Sequence, residues 1–409
     1  MTAMSNIFYN TLPNGLRLVH VTTDARVAWC GLAVNVGSRD EVDGQFGLAH
    51  FVEHTIFKGT RHRRAWHILN RMERVGGELN AYTTKEGTMI YSVFPHHHLP
   101  RAVDLLADLV MWSVFPQEEL DRERDVVLEE AASYRDTPSD AVYDDFEDLL
   151  LAGSELGHNI LGRKEDVERL TREDCITYLK TRYVPGNMAF FSVGPESPDK
   201  VFRLAEKCFG AMNHPMLEKC RRQPAVVAPF RQEVTIGTHQ AHTIVGARVP
   251  HAGHPLRHAL MLLNNILGGP GMNSLLNVEL RERRGYVYTV ESSLTLLSDC
   301  GWMEIYLGCD SDDVRSSLRV IERITTRLAG DLLTPKQLDA YKKQYCGQLV
   351  VAADSTEFIA MRAGRGLLYH GKAATIDETI ERIMQVTPDE IAQAATYLTA
   401  ERLSSLTYR

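Results

Sequence analysis

The sequence predicts an α+β protein of two homologous α/β-sandwich domains, each an antiparallel-rich sheet covered by helices, related by internal duplication. Three observations carry this. The chain has 409 residues, more than one ordinary core holds, so two domains of roughly 200 residues are expected. A strand, strand, helix order appears early and returns in the second half. Matching segments then recur in the same order at a nearly constant shift.

The first half opens with two apolar, β-rich runs, Leu16–Val21 and Ala28–Val34, the first preceded by the turn residues Pro13-Asn14-Gly15. Residues Gly47–Phe57 then read as a helix that stops near Gly59. A strand at Thr88–Phe94 follows, and after it a helix at Leu99–Trp112 with apolar residues at helical spacing. In the second half, Trp302–Leu307 reads as a strand and Asp312–Leu328 as a helix.

The parallel extends to detail. The run Phe115–Asp121 is matched by Leu333–Asp339, a shift of 218, and Thr171–Asp174 by Thr387–Glu390, a shift of 216. One match could be chance; an ordered series indicates a duplicated unit. The polar stretch from Asn213 to Phe230, broken by Pro215, Pro224 and Pro229, suits a linker. The expected organisation is an N-terminal domain over 1–213, a linker over 214–230 and a C-terminal domain over 231–409.

Composition is that of a globular chain, 44% hydrophobic and 24% charged. A net charge of -8 argues against nucleic acid as a partner, since neutralising phosphates needs a basic face. No apolar run reaches the length of about 18 residues that a membrane span needs. Residues 1–9 resemble neither a secretory signal nor a transit peptide. The seven cysteines are scattered and never paired as Cys-x-x-Cys, which reads as free thiols in a reducing compartment. A cytoplasmic location is expected.

The chemistry concentrates in His50-Phe51-Val52-Glu53-His54. Residues four apart share a helix face, so both imidazoles can reach one ion. Glu53, three after His50, is angled to take a proton from a metal-bound water. The spacing mirrors the commoner His-Glu-x-x-His zinc motif. Taken alone, the five residues read equally well as a solvated helix face, with Phe46, Leu48, Phe51 and Ile56 packing beneath. A catalytic zinc wants a third protein ligand, and Asp121–Glu130 offers several carboxylates on a second helix. Shifting His50, His54 and Glu130 by 218 lands near Gly268, Met272 and Gln348, so any metal site belongs to the first half alone.

The segment Gly47–Thr60 resembles the active-site helix of the pitrilysin, insulinase and mitochondrial processing peptidase family, in its two-domain bacterial type. The resemblance covers essentially the whole chain. It implies a zinc metalloendopeptidase with one zinc per chain, held by His50, His54 and a glutamate 76 residues after the second histidine, which is Glu130. It also implies a further glutamate seven residues before that ligand, Glu123, orienting the site. Residues Gly76–Thr84 resemble the family's edge strand, which implies that Asn80, Ala81, Tyr82, Thr83 and Thr84 hold an extended peptide by main-chain hydrogen bonds. In the second half, Leu280–Tyr288 resembles a segment whose arginine and tyrosine reach the scissile region, implying Arg281 and Tyr288 as oxyanion stabilisers. The preceding Leu267–Asn273 matches the family's glycine-rich turn; it lacks the Gly-Lys-Ser/Thr ending of a nucleotide loop.

Two-domain members pair into a four-domain clamshell in which the zinc of one subunit faces the arginine and tyrosine of its partner. This chain keeps both sets, so a homodimer acting on unfolded peptides is expected, with a heterodimer as the variant. The alternative is a non-catalytic or partner-dependent subunit that binds peptides or assembles with a second chain. His96-His97-His98 and the group His251, His254 and His258 carry no comparable pattern.

Overall fold

A computed structural model of the chain describes residues 6–212 and 221–409. Of the expected linker, residues 214–220 lie outside the described residues. Two compact units are present, and each draws on both halves of the sequence. The first holds residues up to Ala131 with His158–Arg221 and Val351–Thr375; the second holds Ala132–Gly157, Arg222–Val350 and Ile376–Arg409.

The first unit is built on a six-stranded sheet of β1 (Ile7–Thr11), β2 (Arg17–Thr22), β3 (Val27–Val34), β4 (Glu78–Thr83), β5 (Thr88–Pro95) and β6 (Met188–Gly194). They lie in the order β1-β2-β6-β3-β5-β4. Only β2 and β6 run parallel; the other pairs are antiparallel. Central strands β3 and β6 are apolar along nearly their whole length because both sheet faces are covered. Alternation sends Leu18, Cys30, Leu32, Ile90 and Phe190 to one face, beneath the helices Leu48–Thr55, Leu99–Trp112, Arg172–Arg182 and Pro198–Phe209. Val19, Trp29, Ala33, Met89 and Phe191 point the other way, under Ala360, Ala363 and Leu367 of the helix Thr356–His370. Gly364 lets that helix close on the sheet, since a Cβ there would stand 2.6 Å from the Phe191 ring.

The second unit repeats the plan with β7 (Arg231–Val234), β8 (Ala241–Val249), β9 (Val287–Leu296), β10 (Gly301–Cys309) and β11 (Ser404–Tyr408), in the order β7-β11-β8-β10-β9. Setting β1 aside, the strands of both sheets follow the same permutation, with one parallel pair at the same place. One face carries the helices Arg257–Gly268, Val314–Gly330 and Pro388–Ala395; the other is covered by Val142, Phe146 and Leu150 of the helix Pro138–Leu150. The repeat holds at single hydrogen bonds. Thr171 accepts from the Asp174 N–H while Asp174 accepts from the Thr171 N–H, and Thr387 and Glu390 do the same. These reciprocal caps satisfy orphan donors at equivalent helix starts and explain the sequence match there. Among the described residues no helix is long and apolar enough to cross a membrane.

Candidate metal centre

The first unit gathers the sequence-predicted cluster. The helix Leu48–Thr55 turns its apolar side, with Leu48, Ala49, Phe51 and Val52, into the core. That leaves His50, Glu53 and His54 on the remaining faces. The two imidazole rings meet edge to face at 4.6 Å. Burial, and then the neighbouring His54, push His50 down to about 4, so its ring is neutral at pH 7 and keeps a lone pair for a cation. Its Nδ1 is buried with no hydrogen-bond partner among the described residues.

Glu130 reaches the pair from the helix Gln117–Arg135. One of its carboxylate oxygens lies 3.3 Å from His54 Nε2 and 3.8 Å from His50 Nε2. One ligand atom from each of the three lies within 4.8 Å of the others, and no other such group of three occurs among the described residues. Zinc bonds of about 2.0–2.2 Å at tetrahedral angles place neighbouring ligand atoms roughly 3.4 Å apart. The observed spacings therefore fit zinc with little movement.

Glu123, two turns before Glu130, supports the site. One oxygen stands 3.4 Å from His54 Nδ1 and the other 2.5 Å from Lys58 Nζ. A carboxylate on one ring nitrogen fixes which nitrogen faces the cation. Lys58 was not singled out in the sequence, although it follows His54 by four residues along the helical path; a lone lysine gives no signal until its partner is known.

Glu53 is the fifth carboxylate-or-imidazole group on this side, after His50, His54, Glu130 and Glu123. Burial pushes its carboxyl up, and the Thr83 hydroxyl, which donates to it at 2.8 Å, offsets part of that. Thr83 ends β4, the outermost strand, which pairs with β5 alone. Asn80 and Thr84 are exposed, and Ala81, Tyr82 and Thr83 are half-buried. The Ala81 N–H is satisfied at 2.8 Å by the Asn80 side chain. Tyr82 turns to the opposite sheet face, against Met361. Strand edge and metal cluster are thus joined through the Thr83–Glu53 bond.

Arg281 and Tyr288 belong to the second unit. Arg281 is exposed on the π-helical turn Asn277–Glu282. Tyr288, 59% exposed, is the second residue of the edge strand β9 and donates to Asp310 at 3.1 Å. In the second unit Gln348 occupies the place that the shift assigns to Glu130, and it accepts a 2.7 Å hydrogen bond from Asn265. A neutral amide pair stands where the first unit sets a carboxylate against imidazoles.

Residues 18–164 match the family model described as insulinase, peptidase family M16, and residues 169–345 match the one described as the peptidase M16 inactive domain. A Mycobacterium tuberculosis protein named an uncharacterized zinc protease is 35% identical over 96% of this chain and 90% of its own length. The beta subunit of the bovine (Bos taurus) mitochondrial-processing peptidase is 29% identical over 94% of this chain and 80% of its own. A crystal structure of a protease from Helicobacter pylori superposes with a TM-score of 0.92 at 22% identity, covering 99% of this chain and 100% of that one.

Proposed function

Because the chain belongs to the insulinase family, peptidase family M16, we propose that it is a zinc-dependent endopeptidase that hydrolyses unfolded peptides. The observation that carries this is the convergence of His50, His54 and Glu130 beside a half-buried glutamate that is hydrogen-bonded to an open strand edge. His50, His54 and Glu130 would hold one zinc per chain. When bound, the metal supplies Lewis-acid polarisation of the scissile carbonyl and makes water more acidic.

The chain's own residues do the rest. Glu53 takes the proton of the attacking water and hands it to the leaving amine. Glu123 and Lys58 keep His54 oriented. The outer edge of β4 pairs with the peptide main chain, which accounts for a preference for extended substrates. In this reading the chain works as a homodimeric clamshell in the cytoplasm, and Arg281 and Tyr288 of a second copy stabilise the substrate oxyanion.

The test is hydrolysis of a quenched fluorescent peptide library by the purified chain and by Glu53→Gln, with zinc content measured for both. The parent is expected to cleave and to lose activity on chelation. Glu53→Gln is expected to keep its zinc and lose about 10²–10⁴-fold in rate. Zinc without cleavage in the parent would favour the partner-dependent subunit instead. No zinc in the parent would remove the metal reading.

A further inference from the structure

The helix that carries His50, Glu53 and His54 is only eight residues long. A helix of two turns does not hold itself in place; its position comes from packing and from whatever satisfies its ends. The first turn leaves N–H groups with no partner inside the helix. At its N-cap stands Gly47, with φ +96° and no side chain to offer. No larger residue fits there, because a Cβ would lie 2.8 Å from the Leu161 carbonyl oxygen.

The capping task passes to a residue six positions upstream. One oxygen of Glu41 accepts from the Gly47 N–H at 2.9 Å and the other accepts from the Ala49 N–H at 2.7 Å. A carboxylate that grips two N–H groups of one turn fixes both the axial position and the rotation of the helix, and its charge complements the helix dipole. The Glu41 side chain is fully buried. Burying a carboxylate is costly unless its oxygens are bonded, so this group is held by its partners and holds them in turn.

Its remaining partner is His158, whose Nε2 lies 3.1 Å from Glu41. The His158 ring stacks on Phe46 at 4.1 Å, one residue before the N-cap. The His158 carbonyl accepts from Lys85 Nζ at 2.6 Å. Lys85 lies in the turn that closes β4 onto β5, and the same turn is tied to the Glu41 side by Ser38 N–H to Thr84 O and Arg39 N–H to Lys85 O. A continuous path therefore runs from the start of the metal helix, through Glu41 and His158, to the end of the edge strand that bonds Glu53.

We propose that Glu41, braced by His158, is a positioning residue that fixes the register of the His50–Glu53–His54 helix against Glu130 and the β4 edge. It touches neither metal nor substrate and acts through the helix start. Glutamine cannot replace it, because its amide NH₂ would face one of the two N–H donors. The inference rests on the zinc-peptidase reading, and its test separates the two.

Zinc affinity is measured by chelator competition for the unaltered chain, Glu41→Gln, and Leu106→Ala, which destabilises the same core cluster without touching this path. All are assayed at a temperature where circular dichroism shows them folded. Glu41→Gln is expected to bind zinc about 10–100-fold more weakly, as outer-shell losses do, with kcat reduced and KM little changed. Leu106→Ala is expected to keep the parent affinity. If Glu41→Gln does not fold, His158→Phe keeps the stack on Phe46, removes the bond to Glu41, and is expected to weaken zinc about fivefold, as loss of one hydrogen bond does. Parental zinc affinity in the folded Glu41 variant, or in His158→Phe where that variant does not fold, overturns this inference alone. An unaltered chain that binds no zinc overturns the metal reading, and this inference with it.

Discussion

Glu304 is a buried glutamate and Glu53 a half-buried one, one in each unit, and their surroundings differ. Glu53 has a threonine hydroxyl, an imidazole and an open strand edge beside it. Glu304, on the inner strand β10, has only the Ser293 hydroxyl at 2.9 Å; its second oxygen has no partner among the described residues. Burial first, and then the negative charge of Glu147, push its carboxyl up to about 8. In the unfolded chain a glutamate releases its proton near pH 4.3. Between these values the folded state holds a proton that the unfolded state has lost, so stability falls as pH rises through that window and levels off above it. Glu304→Gln removes the titration and keeps the shape. In urea unfolding, the variant is therefore expected to gain on the parent from pH 5 to pH 8.5. An unchanged difference across that range would mean that Glu304 ionises in the folded state at its ordinary value.

At the scale of elements, the informative pair is the short helix Leu48–Thr55 and the edge strand β4. The Ala81 N–H is bonded to the neighbouring Asn80 side chain, which places it on the outer edge, away from β5. Proline is tolerated on edge strands where the N–H faces outward. Ala81→Pro is thus expected to fold and bind zinc normally while removing one main-chain donor to the peptide. KM should rise about fivefold, the worth of one hydrogen bond, with kcat little changed. An unaltered KM would take the peptide away from this edge. The helix of this pair could be read from the sequence, because the His50, Glu53 and His54 spacing is local, whereas Gly76–Thr84 reads locally as an ordinary glycine-led strand and took its meaning from the family resemblance. Glu130 needed the family resemblance, since nothing local separates it from Glu129. What stayed hidden depends on contacts far apart in the chain. Glu41 and His158 are separated by 117 residues. The helices Pro138–Leu150 and Thr356–His370 have ordinary amphipathic patterns, and no pattern says that each packs on the sheet built mainly by the other half of the sequence. Strand β1 was missed because four of its five residues are exposed and it has no buried face to leave an alternation.

Over the whole molecule, two sheets share one strand permutation, and among the described residues a single group of three side chains is placed to hold a metal. His50 and His54 sit on one helix and Glu130 on another, so the unfolded chain does not present the three together, and zinc held by them would favour the folded state. At free zinc about 100 times its dissociation constant, the gain is roughly 2.7 kcal/mol. For a unit of about 200 residues that corresponds to a rise in Tm on the order of 5–10 °C. The duplicated plan supplies its own control. Glu130→Gln should abolish the zinc-dependent rise. Gln348→Ala, at the equivalent place in the second unit, should lose the Asn265 bond and about 1 kcal/mol while keeping the full rise. Calorimetry of the three proteins with zinc and with chelator checks this. A rise that survives Glu130→Gln would place the stabilising metal elsewhere in the chain. A rise that Gln348→Ala also removes would mean that the second unit's amide pair supports metal binding in the first.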